Sequence, residues 1–231
     1  MIVGAVIGRL RAGARKHTDR DRYSPVGVAF HWTVAALVFF QLWWGWRTGR
    51  LPAGQDKFDA YDVHIQVGLV IFVIVLLRMA WRLVVPGPNN DADKPGWQST
   101  LAHLTHFAFY GLLLGLPLTG WAMRSATALE IPMTVGGVVR FPHMPFHGFS
   151  WELRQSVEMW AERAHWLMVW SLALLILAHV GAALKHYFVD HDDVLPAMLP
   201  LLPHPDDAEV RAGDPPASGR RRRSPAPPSG G

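Results

Sequence analysis

Residues 163–180 read RAHWLMVWSLALLILAHV and place two histidines, His165 and His179, in a run that is otherwise almost wholly apolar. A helix rises about 1.5 Å and turns about 100° per residue, so the two imidazoles are roughly 21 Å apart along the axis and about 40° apart around it. Ionisable side chains are rare in hydrocarbon and mark functional sites there. The stretch therefore predicts one membrane helix that presents an imidazole at each of two depths on a shared face.

The whole chain has the composition of a membrane protein. Half of its 231 residues are hydrophobic and only 17% are charged, against about a quarter in soluble domains. A span takes about 20 apolar residues. Four windows meet that length, at residues 27–46, 63–83, 101–123 and 165–184. The sequence therefore predicts an all-α membrane protein whose four helices form one bundle in the lipid bilayer.

Basic residues predict the direction of the spans. Fifteen of the 22 Lys and Arg residues lie in the two terminal segments and the second loop, including the ends of its flanking spans. Positively charged residues collect on the cytoplasmic side, so both termini are expected there. We expect a cytoplasmic N-terminal extension at 1–22, a membrane domain at 23–200 and a disordered Pro/Arg-rich tail at 201–231.

Direction and sequence position together give each histidine a depth. His31 begins an outward span and lies towards the cytoplasm, whereas His64 begins an inward span and lies near the outer face. The predicted pairs are His64 with His165 outside and His31 with His179 inside. Facing imidazoles from two helices of a bundle are the axial ligands of a six-coordinate b-type haem. Two pairs predict two b haems and a path for electrons across the membrane.

Other interpretations remain open at this point. A single histidine in a span can simply form a hydrogen bond to a neighbouring helix. On geometry alone, His103 or His106 of the third span can replace an inner ligand, contact haem propionates, shuttle protons or reach the interface. The absence of Cys excludes iron–sulfur ligation and c-type haem attachment, and the absence of carboxylates from the spans disfavours other metals. No nucleic-acid partner is expected.

At the spans, the sequence resembles the bacterial cytochrome b561 family of small di-haem membrane cytochromes. The matching segments are RYSPVGVAFHW (22–32), VHIQVGLVIFVIVLLRMAWRLVVPGP (63–88), LAHLTHFAFYGLLLGLPLTGW (101–121) and AHWLMVWSLALLILAHVGAALKHYFVDHDDVLPAMLP (164–200). Carried over residue by residue, the resemblance implies that the iron ligands are His31, His64, His165 and His179. It thereby argues against His103 and His106 as ligands, and it implies a multi-pass protein of the bacterial inner membrane.

The resemblance also implies exchange of electrons with a quinone, ubiquinone being the expected one, on the cytoplasmic side. The candidate quinone or propionate contacts are Arg78, Arg82, Lys185, His186 and Tyr187. Basic or imidazole donors there can stabilise negative charge on a quinone oxygen or pair with propionates. The three Lys and Arg residues are at least as well explained as positive-inside anchors.

Three functions follow as hypotheses. Some members of the family resemble superoxide oxidases, which would take an electron from superoxide outside and reduce ubiquinone inside. The outer loops carry seven basic and seven acidic residues, so long-range attraction of this anion is not evident. The alternative is a non-catalytic di-haem electron carrier or a membrane anchor for a periplasmic redox protein. A third, a channel or transporter without a cofactor, predicts a colourless protein.

Overall fold

A computed structural model describes residues 24–85, 96–127, 132–191 and 194–199 of the chain. The predicted N-terminal extension (1–22) and tail (201–231) lie outside these described residues. The elements, in chain order, are α1 (Pro25–Arg50), α2 (Gln55–Val84), α3 (Gly96–Ala126), β1 (Met133–Val135), β2 (Val139–Phe141), α4 (Trp151–Phe188) and α5 (Val194–Met198).

Four of the helices, α1 to α4, are long and apolar enough to cross a membrane. The predicted four-span, all-α fold is therefore confirmed. The observed and predicted bounds differ most for α4, which begins at Trp151, fourteen residues before the apolar window predicted at 165–184. Residues 151–164 contain good helix formers and neither Gly nor Pro, so the helix extends beyond its membrane part. At 38 residues α4 is about 57 Å long, well beyond the roughly 30 Å hydrocarbon core.

A short connection joins α1 and α2 into an antiparallel pair. Ser24 caps α1 by accepting a hydrogen bond from the Gly27 N–H at 3.1 Å. At the other end, the indole N–H of Trp44 donates to the Ala60 carbonyl across the pair at 2.8 Å. Thr48, fully buried, donates back to the Trp44 carbonyl at 2.8 Å. Of these bonds, the one from Trp44 to Ala60 joins the two helices near the connection.

The centre of the bundle is aliphatic. The buried residues that form it, which we call the central layer, are Val34, Val38, Ile71, Val75 and Leu172. The backbones of α1 and α2, and of α2 and α3, approach one another closely, whereas α4 meets them mainly through its longer side chains. Large apolar side chains remain exposed around the bundle, among them Phe39, Leu77, Phe107, Leu167 and Leu177. This is the surface that a helix bundle presents to lipid tails.

Residues 132–150 form a small cap on one end of the bundle, which we call the cap end. Its hairpin pairs β1 with β2 in antiparallel register and turns through Gly136 and Gly137, both with positive φ. The hairpin is tied to α2 where the Gly136 N–H donates to the Gln66 side chain at 2.9 Å. It is tied to α3 where the Trp121 indole donates to the Pro142 carbonyl at 2.9 Å. The loop predicted between the third and fourth spans is therefore partly structured.

The chain divides at His179 into two compact units. Helix α4 continues past this point, so its last turns and α5 belong to the second unit. The N–H groups of Val189 and Asp190 both donate to the Lys185 carbonyl, at 2.8 and 3.2 Å, where α4 ends.

Candidate cofactor site

Two pairs of histidines meet inside the bundle, one towards each end. The ring centroids of His64 and His165 are 6.3 Å apart with an interplanar angle of 66°. Those of His31 and His179 are also 6.3 Å apart, at 53°. We call His64 and His165 the cap-end pair, and His31 and His179 the terminal-end pair. The structure thus brings together the same partners that the sequence analysis pairs.

The separation of the rings suits a single metal between them. A bond of about 2.0 Å from a metal to each histidine nitrogen, with roughly 1.15 Å more from nitrogen to ring centre, puts two facing centroids about 6.3 Å apart. Both pairs have this spacing. The spacing of each pair is therefore compatible with two imidazoles that would hold one iron between them.

The side chains available as metal ligands restrict the type of metal centre that the site can hold. Among the residues that the structure describes, no group of three or more His, Cys, Asp or Glu side chains is placed to hold a metal ion. Two imidazoles alone supply only the axial positions of a six-coordinate iron, and a haem brings its own four nitrogens. The aliphatic interior also suits a flat and largely apolar macrocycle. The residues therefore fit b-type haem.

His64 lies directly against the backbone of α1. A Cβ atom added at Gly45 would come 2.9 Å from Cε1 and 3.3 Å from Nδ1 of the His64 ring. Gln41 holds the same segment, since its amide N–H donates to the His64 carbonyl at 2.6 Å. The Nδ1 atom of His64 and the Oε1 atom of Gln41 are buried without a hydrogen-bond partner. Gly45 is thus the residue that leaves room for this imidazole.

His165 is held from α3. Its Nδ1 atom is 2.9 Å from the hydroxyl oxygen of Thr119. The ring also passes close to Gly120, where an added Cβ would be 3.8 Å from Cε1. The last turn of α3 continues to Arg124, whose Nε atom is buried without a hydrogen-bond partner. In the cap-end pair, the His165 ring therefore contacts the neutral hydroxyl of Thr119, and the His64 ring lies against the backbone at Gly45.

The terminal-end pair has a cation beside it. One guanidinium nitrogen of Arg78 is 3.5 Å from Nδ1 of His31. Phe109 packs edge-on against His179, with centroids 5.2 Å apart. Trp32 makes a similar contact with His31 at 5.3 Å. Arg78 lies within the apolar part of α2, so its charge acts in surroundings that screen it weakly.

Each of the two histidines of α3 forms a hydrogen bond to its own helix. His103 Nδ1 donates to the Ser99 carbonyl at 2.8 Å, and His106 Nδ1 donates to the Ala102 carbonyl at 2.7 Å. Each bond joins a side chain to the turn before it on the same helix. Both residues are exposed on the bundle surface.

The other predicted contacts are distributed over both units. Arg82 is exposed one turn beyond Arg78 on α2. In the second unit, the Lys185 ammonium donates to both carboxylate oxygens of Asp190, at 2.8 and 2.7 Å. His186 Nδ1 lies 3.1 Å from the same carboxylate. The hydrogen bond from Lys185 lowers the pKa of Asp190 below its ordinary value.

Sequence reasoning missed the residues that surround the imidazoles. Thr119, Gly45 and Gln41 lie in the apolar windows and Asp190 lies in the family-matching segment 164–200, and none of the four is among the predicted site residues. A glycine inside a helix costs stability relative to alanine, so Gly45 between Trp44 and Trp46 was a signal of close packing. Thr119 and Gln41 are polar residues within apolar windows that also hold other polar side chains, such as Thr33 and Thr105, so they are a weaker signal of a similar kind.

Comparison with known proteins identifies the family. The model of the family described as prokaryotic cytochrome b561 matches residues 22–201. Cytochrome b561 homolog 2 of Escherichia coli K12 is 26% identical over 181 residues, which cover 78% of this chain and 92% of the relative. Cytochrome b561 homolog 1 of the same organism is 25% identical, covering 78% and 98%. A Yersinia pestis protein named "Probable superoxide oxidase CybB" is 24% identical, covering 78% and 96%.

The match spans all four membrane helices and both histidine pairs. It also covers nearly the full length of each relative, so the likeness concerns whole proteins. The chain therefore belongs to the prokaryotic cytochrome b561 family, multi-pass membrane proteins of bacteria that transfer electrons through b-type haem.

Proposed function

We propose that the chain holds two b haems, one on each histidine pair, and carries electrons between a donor at the cap end and ubiquinone at the terminal end. Haem, when bound, supplies reversible one-electron exchange at its iron. The residues assigned to the cap-end haem are His64 and His165, and those assigned to the terminal-end haem are His31 and His179.

The observation that carries this proposal is the repetition of one geometry at two depths. Both pairs have ring centroids 6.3 Å apart, and one helix, α4, supplies a histidine to each. A histidine that only forms a hydrogen bond to a neighbouring helix does not explain why a second pair has the same spacing. Two metal-binding pairs that share helix α4 explain the repeated spacing.

The central layer separates the two sites. Each of its residues lies between the two histidine levels along its own helix, and none carries a polar side chain. Such packing excludes water and provides no chain of proton carriers. We propose that electrons cross this layer without protons, so that protons for the quinone enter at the terminal end.

The positive residues support the orientation of the two ends. The segments expected in the cytoplasm carry 15 of the 22 Lys and Arg residues. We therefore propose that both termini are cytoplasmic, that the cap faces outward and that the membrane is the bacterial inner membrane. Arg78 and Arg82, and in the second unit Lys185 and His186, are the proposed quinone or propionate contacts.

Superoxide is the proposed electron donor. The name of the Yersinia pestis relative supports this choice. Two superoxide anions would each lose one electron and leave as O₂, and one ubiquinone would gain both electrons and two protons to become ubiquinol. At the cap end, Arg124 and the exposed Arg140 carry positive charge that can attract the anion locally.

The test uses the purified full-length protein loaded with haem. Superoxide generated enzymatically is added with a soluble ubiquinone, and formation of ubiquinol is followed in the presence and absence of superoxide dismutase. The proposal predicts ubiquinol formation that the dismutase abolishes. Haem-loaded protein that forms no ubiquinol, yet is reduced by ubiquinol itself, would instead favour an electron carrier that serves a periplasmic redox partner.

A further inference from the structure

The hydroxyl of Thr119 lies between the backbone of its own helix and a histidine of the next membrane helix. Its oxygen is 3.0 Å from the Gly115 carbonyl and 2.8 Å from the Leu116 carbonyl, both one turn earlier on α3. On the other side it is 2.9 Å from Nδ1 of His165. Thr119 is partly buried in the bundle.

Counting hydrogens assigns the direction of each bond. A carbonyl oxygen only accepts, and a threonine hydroxyl has a single proton with two lone pairs. The proton of Thr119 is therefore used towards Gly115 and Leu116, the back-bond that a threonine commonly makes within a helix. Towards His165 the hydroxyl can then only accept. It follows that the Nδ1 atom of His165 carries a hydrogen and donates it.

A neutral imidazole with hydrogen on Nδ1 keeps its lone pair on Nε2. Hydrogen bonds to the other nitrogen of a metal-bound histidine fix the tautomer and the rotation of the ring. We infer that Thr119 is a positioning residue that presents Nε2 of His165 to the cap-end iron. The inference rests on the proposed function, because it takes His165 to be a haem ligand.

The arrangement is specific to the cap-end pair. His64 has a buried Nδ1 atom without a hydrogen-bond partner. At the terminal-end pair, the group beside Nδ1 of His31 is the guanidinium of Arg78, 3.5 Å away, which has no lone pair to accept a hydrogen from the ring. Loss of the Thr119 hydroxyl should therefore affect the cap-end haem and leave the terminal-end haem unchanged.

The hydrogen bond also makes His165 a more basic ligand. A more basic imidazole stabilises ferric iron more than ferrous iron, so it lowers the reduction potential. Removal of such a partner weakens metal binding by about 10- to 100-fold. If ferric binding weakens tenfold more than ferrous binding, the potential of a one-electron couple rises by about 59 mV.

The chain offers matched variants for the test. Thr119→Val keeps the shape of the side chain without the hydroxyl, and Thr119→Ser keeps the hydroxyl without the methyl group. Thr48→Val is the control, because Thr48 is a fully buried threonine that makes the same kind of back-bond to Trp44 and lies on a different helix. Full-length haem-loaded proteins are titrated with dithionite and ferricyanide while the visible bands are recorded.

We expect two haem components in the wild type. T119V should raise the potential of one of them or lose that haem on gel filtration, while T119S and T48V behave as the wild type. If T119V does not accumulate, Thr119→Ala carries the same expectation. A T119V protein with wild-type potentials and full haem retention would overturn the inference and leave the proposed function intact. So would equal shifts of both components. A wild-type protein that binds no haem would overturn the proposed function itself.

Discussion

The imidazole of His64 rests on the backbone of α1 at Gly45, where an added Cβ would lie 2.9 Å from the ring. Carbon atoms do not pack at that distance, so a side chain at this position must move the ring or the helix. Since His64 is a proposed axial ligand, the choice of glycine here is tied to the cap-end haem.

Gly45→Ala is therefore expected to displace the ring and to lose at least half of the cap-end haem, with a destabilisation of about 1–3 kcal/mol from overpacking. The measurement is haem per chain by pyridine haemochrome, together with the thermal unfolding midpoint. Gly49→Ala is the matched control, because an added Cβ there has nothing within 4 Å. Alanine should be neutral or up to about 1 kcal/mol stabilising at that site. Full haem content in G45A would contradict this account of the cap-end pair.

Arg78 is expected to raise the reduction potential of the terminal-end haem, because a nearby positive charge favours the reduced iron. The guanidinium is 3.5 Å from Nδ1 of His31, and a unit charge acting beyond such a ring at an effective dielectric constant of about 20 contributes on the order of 2 kcal/mol. That corresponds to roughly 90 mV for a one-electron couple. Arg78→Gln should lower one potential by tens of millivolts in a redox titration and leave the other unchanged.

Arg82→Gln is the comparison for Arg78, since Arg82 lies one turn further along α2 and is exposed. Solvent screens an exposed charge, so its removal should shift the same potential by less than half as much. Equal effects of the two substitutions, or a shift in both haems, would show that Arg78 has no special relation to His31.

Asp190 is expected to hold the Lys185 ammonium across the neutral pH range. A lowered carboxyl pKa means that the pair contributes above the ordinary value of 3.8 and is lost as the pH falls through the lowered value. The KM for ubiquinone should therefore show no titration of this carboxylate between about pH 5 and 8. The exposed pair adds little to folding stability.

Asp190→Asn releases Lys185, so the KM for ubiquinone should fall several-fold if Lys185 contacts the quinone, and Lys185→Gln should raise it. The thermal midpoint should barely change in either variant. If neither substitution alters the KM, Lys185 acts only as a charged anchor at the membrane surface.

The sequence was sufficient for the outline of this fold. The apolar windows correctly predicted four membrane helices, and the histidine positions at two depths predicted the pairs whose rings lie 6.3 Å apart. These features depend only on the length of each apolar window and on the rise of a helix per residue, and both can be read directly from the sequence. Whether the pairs bind haem remains a prediction.

The residues that contact the two histidine pairs could not be predicted from window length and helical rise. The contacts of Thr119 with His165 and of Gly45 with His64 depend on how each helix is rotated about its axis and packed on its neighbour. Apolar residues surround each span, so hydrophobic periodicity does not record that rotation. Hydrophobicity does not predict the polar start of α4 at Trp151 for a related reason, because this segment is helical outside the apolar window.

The most direct test of the central claim is to ask which histidines share a haem. Redox titration of the purified wild type should resolve two b-haem components, at two haems per chain. His64→Ala and His165→Ala should each remove the same component, and His31→Ala and His179→Ala should each remove the other. If His64→Ala and His165→Ala abolish different components, or if the wild type binds one haem, the assignment of two haems to these two pairs is wrong.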